Sequence, residues 1–204
     1  MPRLLNWSFF YRPILADIPF EEEVDELKDF DERFRIILRR HLSLLAWWSL
    51  LTALVGLPSI FLGKGIWPYF WMMTVSWAAI NFGIVLGLLG HTAFQQFARG
   101  NTFDRFRVQR HIEKMLLFNI GLDTAYVFAG LWLHTLGRLP DIAHPELWTG
   151  FGWAVLVQGV FLFCHDNIFH WVHRKNFRLA RPYMERCLLN PGGRELPLSE
   201  TQAN

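Results

Sequence analysis

Two carboxylates stand inside apolar stretches of this chain, and histidines crowd one of them. The first stretch ends His165-Asp166-Asn-Ile-Phe-His170-Trp-Val-His173-Arg174. Asp166, His170 and His173 fall at i, i+4 and i+7, hence on one stripe of a helix, and imidazole with carboxylate is a donor set that suits first-row metals or, with further histidines, haem. The second stretch reads Met115-Leu-Leu-Phe-Asn119-Ile-Gly-Leu-Asp123-Thr-Ala-Tyr126 and continues apolar to Gly137. Its Asn119, Asp123 and Tyr126 share a helical face, as do Thr74, Trp77 and Asn81 in another run, and Gln158 with His165 seven residues on. An ionisable residue at the centre of a membrane helix costs about 2.5–3.5 kcal/mol unless neighbours answer it, so it is a functional candidate by default. Two carboxylates at one depth must share a proton, bind a cation or pair with His165.

Four runs have to position these groups: 42–63, 67–90, 115–137 and 150–172. Each has about the 20 residues that cross a hydrocarbon layer at 1.5 Å per residue. Counted from the nearer basic end of each run, Asp123 lies about 12 Å in, Asp166 about 10 Å and Asn81 about 14 Å. Ser49 and Thr52 of the first run fall in the same band, which predicts one polar layer drawn from four helices. Small residues provide for close helix packing: Gly83 and Gly87 with Gly90, Gly121 with Ala125 and Ala129, and Gly152 with Gly159.

Composition agrees with a lipid-embedded class. Of 204 residues 52% are hydrophobic, with 10 Trp and 19 Phe, and they fall in blocks too long for a soluble core of this size. The net charge of +2 is segregated between connections, and nothing in it points to a nucleic-acid partner. Arg33, Arg35, Arg39 and Arg40 precede the first run; Arg99, Arg105, Arg107, Arg110 and Lys114 lie between the second and third; Arg174, Lys175, Arg178, Arg181 and Arg186 follow the fourth. The other two connections hold only Lys64 and Arg138. The excess of positive charge on one side predicts both termini in the cytoplasm. Cys164 and Cys187 sit in unrelated settings and form neither a disulfide framework nor a Cys-x-x-Cys pair. The opening Met-Pro-Arg-Leu-Leu-Asn-Trp has no continuous apolar core, so no removable signal peptide is expected.

The predicted organisation is therefore all-α. Residues 1–41 make an interfacial arm and an acidic amphipathic helix with apolar Val24, Leu27, Phe30, Phe34 and Ile37; 42–173 make a four-helix transmembrane domain; and 174–204 make a basic cytoplasmic tail whose end is disordered. Helices two and three are expected to continue past the membrane, with a turn at Gly100-Asn101-Thr102. The segment Arg138–Trp148, with two prolines, reads as an ordered loop ending in an interfacial Trp.

Three linked phrases carry a resemblance: Trp77-Ala-Ala-Ile-Asn81-Phe-Gly-Ile, Leu116-Leu-Phe-Asn119-Ile-Gly-Leu-Asp123-Thr-Ala-Tyr126-Val-Phe-Ala-Gly130, and Gly150-Phe-Gly-Trp-Ala-Val-Leu-Val-Gln158-Gly159-Val-Phe-Leu-Phe-Cys-His165-Asp166. Together, over about residues 40–173, they resemble an uncharacterised family of small four-span bacterial membrane proteins. That resemblance implies a four-helix bundle in a bacterial inner membrane and no particular activity. Separately, Asp166-x6-His173-Arg174 resembles the first motif of the membrane-bound fatty acid hydroxylases and sterol desaturases; no histidine follows His173, so the likeness stops at that motif.

Three functions suit these residues. Asn81, Asn119, Asp123, Tyr126, Gln158, His165 and Asp166 make a structural or small-ligand-binding layer in a non-enzymatic membrane module. Alternatively the same layer couples protons or cations to transport. In the third reading Asp166, His170 and His173 hold a metal or haem for a membrane oxidoreductase. The expected partners are the lipid bilayer and a second copy of the chain in a homo-oligomer.

Overall fold

A computed structural model describes residues 28–90 and 102–189. The interfacial arm, the turn before Thr102, His91 and the end of the basic tail lie outside the described residues. Among those described, the fold is all-α: α1 Lys28–Leu62, α2 Trp67–Gly90, α3 Thr102–Leu136 and α4 Pro145–Leu189. Each is long and apolar enough to cross a membrane.

The helices run further than the apolar stretches alone require. α1 has 35 residues and α4 has 45, or about 52 Å and 68 Å at 1.5 Å per residue, against about 30 Å of hydrocarbon. The described part of the acidic segment is thus continuous with the first apolar run, and the basic segment after His173 is continuous with the fourth. Nothing in either junction breaks a helix: neither glycine nor proline interrupts Phe34–Ser49 or Val160–Arg181.

α1 packs on α2 and α3 on α4, as two hairpins, and α4 also lies against α1 and α2. The first connection turns at Gly65, whose φ of 63° suits a residue without Cβ. The third, between α3 and α4, is shorter than expected. α4 already begins at Pro145, with Glu146 in its first turn, so Trp148 is helical. Proline is pre-set for the first helical position and an acid there complements the dipole. The His144 carbonyl accepts from the Leu147 amide at 3.1 Å, and the Trp148 indole N–H donates to the Ala143 carbonyl at 3.0 Å.

Between α3 and α4 the backbones nearly touch. A Cβ on Gly130 would stand 2.6 Å from the Leu156 amide nitrogen, and one on Gly152 would stand 2.9 Å from the Gly130 carbonyl oxygen. Only hydrogen fits there, and the gain is close van der Waals contact. Gly83, Gly87 and Gly121 have nothing within 4 Å. The expectation that they seat neighbouring helices is corrected: their faces turn outward.

The exterior is apolar and much of the interior polar. Phe61 is 84% exposed, Leu62 81% and Phe128 68%. Turned inward are Ser49, Thr74, Asn81, Asp123, Gln158, His165 and Asp166, all buried. The dense hydrophobic packing is at the end where α1 begins and α4 finishes. Phe30 and Phe34 of α1 meet Phe106 of α3 and Phe177 and Ala180 of α4 there, with the Phe30 and Phe106 rings 5.2 Å apart. Basic residues surround this end, including Arg35, Arg39, Arg40, Arg107, Arg178 and Arg181.

Candidate functional site

Antiparallel pairing of α1 with α4 fixes what meets inside. Going inward from the basic end, Arg33 Nε donates to Asn176 Oδ1 at 2.9 Å, Phe34 lies against His173, His41 against His165 and Phe169, and Trp48 against Gln158 and Phe161. The polar residues divide into two zones along this seam.

The inner zone draws on every helix. Trp48 Nε1–H donates to Gln158 Oε1 at 2.9 Å, and its ring stacks on Phe161 with centroids 3.9 Å apart. The Gln158 amide is thereby aimed: its oxygen is taken and its NH2 has no partner among the described residues. Asn81 Nδ2 and Thr74 Oγ1 of α2 and Asp123 Oδ2 of α3 are likewise buried without a partner among the described residues. Tyr126 is half-buried, its ring edge-on to Trp77 at 4.8 Å. Ser49 and Thr52 do not reach across: their hydroxyls donate to their own helix, at the Leu45 and Trp48 carbonyls, both at 2.8 Å. Asn119 is half-buried with no hydrogen bond across the bundle among the described residues.

The outer zone is a histidine cluster. His165 uses both ring nitrogens: Nδ1 is 2.7 Å from Asp166 Oδ1, and Nε2 is 3.3 Å from the His41 carbonyl oxygen. Both partners are oxygens, and which ring nitrogen donates depends on the tautomer.

His41, His165 and Asp166, all buried, each offer a ligand atom within 4.8 Å of the others. Among the described residues this is the convergent group; Asp166, His170 and His173 do not converge in that way. The reason is axial: one stripe of a helix separates i from i+7 by about 10 Å, more than one ion spans. His170 is half-buried, while His173 is fully buried, its ring 6.1 Å from that of His41. Gln109 Nε2 donates to the His173 carbonyl at 2.8 Å and so ties α3 to this zone. The approach of His41 to His165 rests on a contact 124 residues apart, which no spacing along the chain marks.

A family of unknown function (DUF6992) matches residues 44–167, which take in Asn81, Asn119, Asp123, Tyr126, Gln158, His165 and Asp166 but neither His41 nor His173. No curated protein and no solved structure matches the chain.

Proposed function

We propose a function for a chain that belongs to the DUF6992 family of unknown function: a four-span, non-enzymatic membrane module whose inner zone binds a small polar ligand. The observation that carries it is the set of buried polar atoms without a hydrogen-bond partner among the described residues, Thr74 Oγ1, Asn81 Nδ2, Asp123 Oδ2 and Gln158 Nε2, gathered from three helices. Leaving one such group unmatched costs about 1–3 kcal/mol. A molecule that accepts from the amides and donates to Asp123 would answer all of them. The Trp48–Gln158 bond favours this ligand class over a bare cation, because it leaves Gln158 presenting N–H groups and not oxygen.

The proton- or cation-coupled reading keeps one observation of its own, the burial of two carboxyl groups, Asp123 and Asp166, inside one bundle. Orientation follows from charge. The basic residues of α1, α3 and α4 gather at one end, with Lys64 and Arg138 at the other, which supports the segments before α1 and after α4 in the cytoplasm; the bacterial inner membrane is what the family resemblance implies.

A stability screen tests the ligand. Full-length protein in mild detergent is melted against a panel of amides, polyols, carboxylic acids and amino acids, and also against sodium, potassium and pH. At least one neutral polar class is expected to raise Tm in the wild type, and Asp123→Asn and Gln158→Leu are expected to abolish that response. A wild type that answers only to sodium or pH transfers the site to the cation reading. No response to anything, with the variants merely less stable, leaves the layer as interhelical glue worth about 0.6 kcal/mol per bond.

A further inference from the structure

Where α1 meets the second half of α4, we propose a binding site for a first-row divalent metal ion of the zinc class, held by His41, His165 and Asp166. The site lies outside the inner zone and goes beyond the reading given for it. The two share only the packing of α1 on α4.

Geometry and donor type agree. Metal–nitrogen bonds of about 2.0–2.1 Å hold two imidazole rings on a tetrahedral ion with centroids about 5 Å apart. The rings of His41 and His165 are 4.8 Å apart. Tetrahedral ligand atoms lie about 3.3–3.6 Å from one another, so atoms already within 4.8 Å close on an ion by side-chain shifts of about 1 Å. Two nitrogens and a carboxylate oxygen are borderline-to-hard donors, suited to zinc and its first-row neighbours and unsuited to copper(I).

A second observation points to a ligand and not to a satisfied polar core. His41 Nδ1 is buried with no hydrogen-bond partner among the described residues. An enclosed ring nitrogen without a partner costs about 1–3 kcal/mol. A cation between His41 and His165 answers a lone pair of the His41 ring directly. With three protein ligands the fourth position of a tetrahedral ion stays open. Asp166 offsets one of the two charges of a divalent ion, and an anionic or neutral donor in the remaining position completes the shell.

The test uses untagged full-length protein purified in detergent, stripped with chelator and titrated with Co²⁺ and then Zn²⁺. One ion per chain is expected, with a tetrahedral Co²⁺ visible spectrum that Zn²⁺ bleaches. His41→Gln, His165→Gln and Asp166→Asn should each weaken binding at least tenfold. Cys164→Ser, which removes an exposed thiol, should leave the spectrum unchanged. X-ray absorption on the Zn²⁺-loaded wild type keeps the proposal decidable if a variant fails to fold: scattering from at least two imidazoles at about 2.0–2.1 Å is expected. Binding well below one ion per chain, a Co²⁺ spectrum lost in Cys164→Ser, or a first shell without imidazole overturns it. Because these probes are metals alone, their failure leaves the response to polar solutes untouched, and failure of the solute screen leaves the titration standing.

Discussion

Gln158→Leu, taken alone and with Trp48→Phe, examines the contact that aims the inner zone. The substitution keeps a similar length of side chain and removes the acceptor that lies 2.9 Å from Trp48 Nε1. The indole N–H is then enclosed beside Phe161 with nothing to receive it, at a cost of about 1–3 kcal/mol. Part of this is returned, because the unpartnered NH2 of Gln158 disappears as well, so a net loss of about 1 kcal/mol is expected. Trp48→Phe costs its own share through the lost stacking area on Phe161. In the double variant neither polar atom remains to be left unmatched. Its loss should fall short of the sum of the singles by about 0.6–1.7 kcal/mol, the range measured for hydrogen bonds between membrane helices. The assay is reversible unfolding in mixed micelles, followed by helical circular dichroism so that the other nine tryptophans do not confuse the signal. If the two losses add to within about 0.3–0.5 kcal/mol, the residues are not coupled and the account of how Gln158 is oriented fails.

The glycines give a contrast in the same assay. Gly130→Ala should destabilise by about 1–3 kcal/mol, because the new methyl meets the backbone of α4, which cannot swing aside. Gly83→Ala should be neutral or stabilise by about 0.4–1 kcal/mol, since its face is open and alanine restricts the unfolded chain; a loss as large as that of Gly130→Ala would mean that a partner covers α2. Phe34→Ala, which empties a buried position between Phe30 and His173, is expected to cost about 3–5 kcal/mol, and a change under 1 kcal/mol would deny that this end is a packed core. Arg33→Ala should lower stability by about 1.5–3 kcal/mol through the bond to Asn176, and Asn176→Ala combined with it should add little.

How much of this could be read without the fold differs from residue to residue. The inward direction of Asn81, Asp123, Gln158, His165 and Asp166 was legible, because a helix has a fixed period and polar groups within an apolar run avoid the outside. Ser49 and Thr52 were misjudged: hydroxyls satisfy themselves on the carbonyl one turn back, so their place in a common band did not make them part of a shared layer. The small residues were misjudged in part for a related reason. Spacing identifies a smooth face, and Gly83-x-x-x-Gly87 is one, but it does not say whether a helix lies against that face.

The sequence by itself determined what local rules control: four long apolar helices, the faces their polar residues share, and the segregation of basic charge to one end. These depend on hydrogen bonds and side-chain chemistry within a few turns of one helix. The tertiary structure alone decided which helix answers which. His41 meets His165, Trp48 holds Gln158, and Gly130 seats α4 because of the axial offset and rotation of one rod against another, set jointly by all the side chains at the seam. Contacts between residues more than 100 positions apart leave no periodic trace along the chain, so the histidine cluster came into view only when α1 was laid against α4.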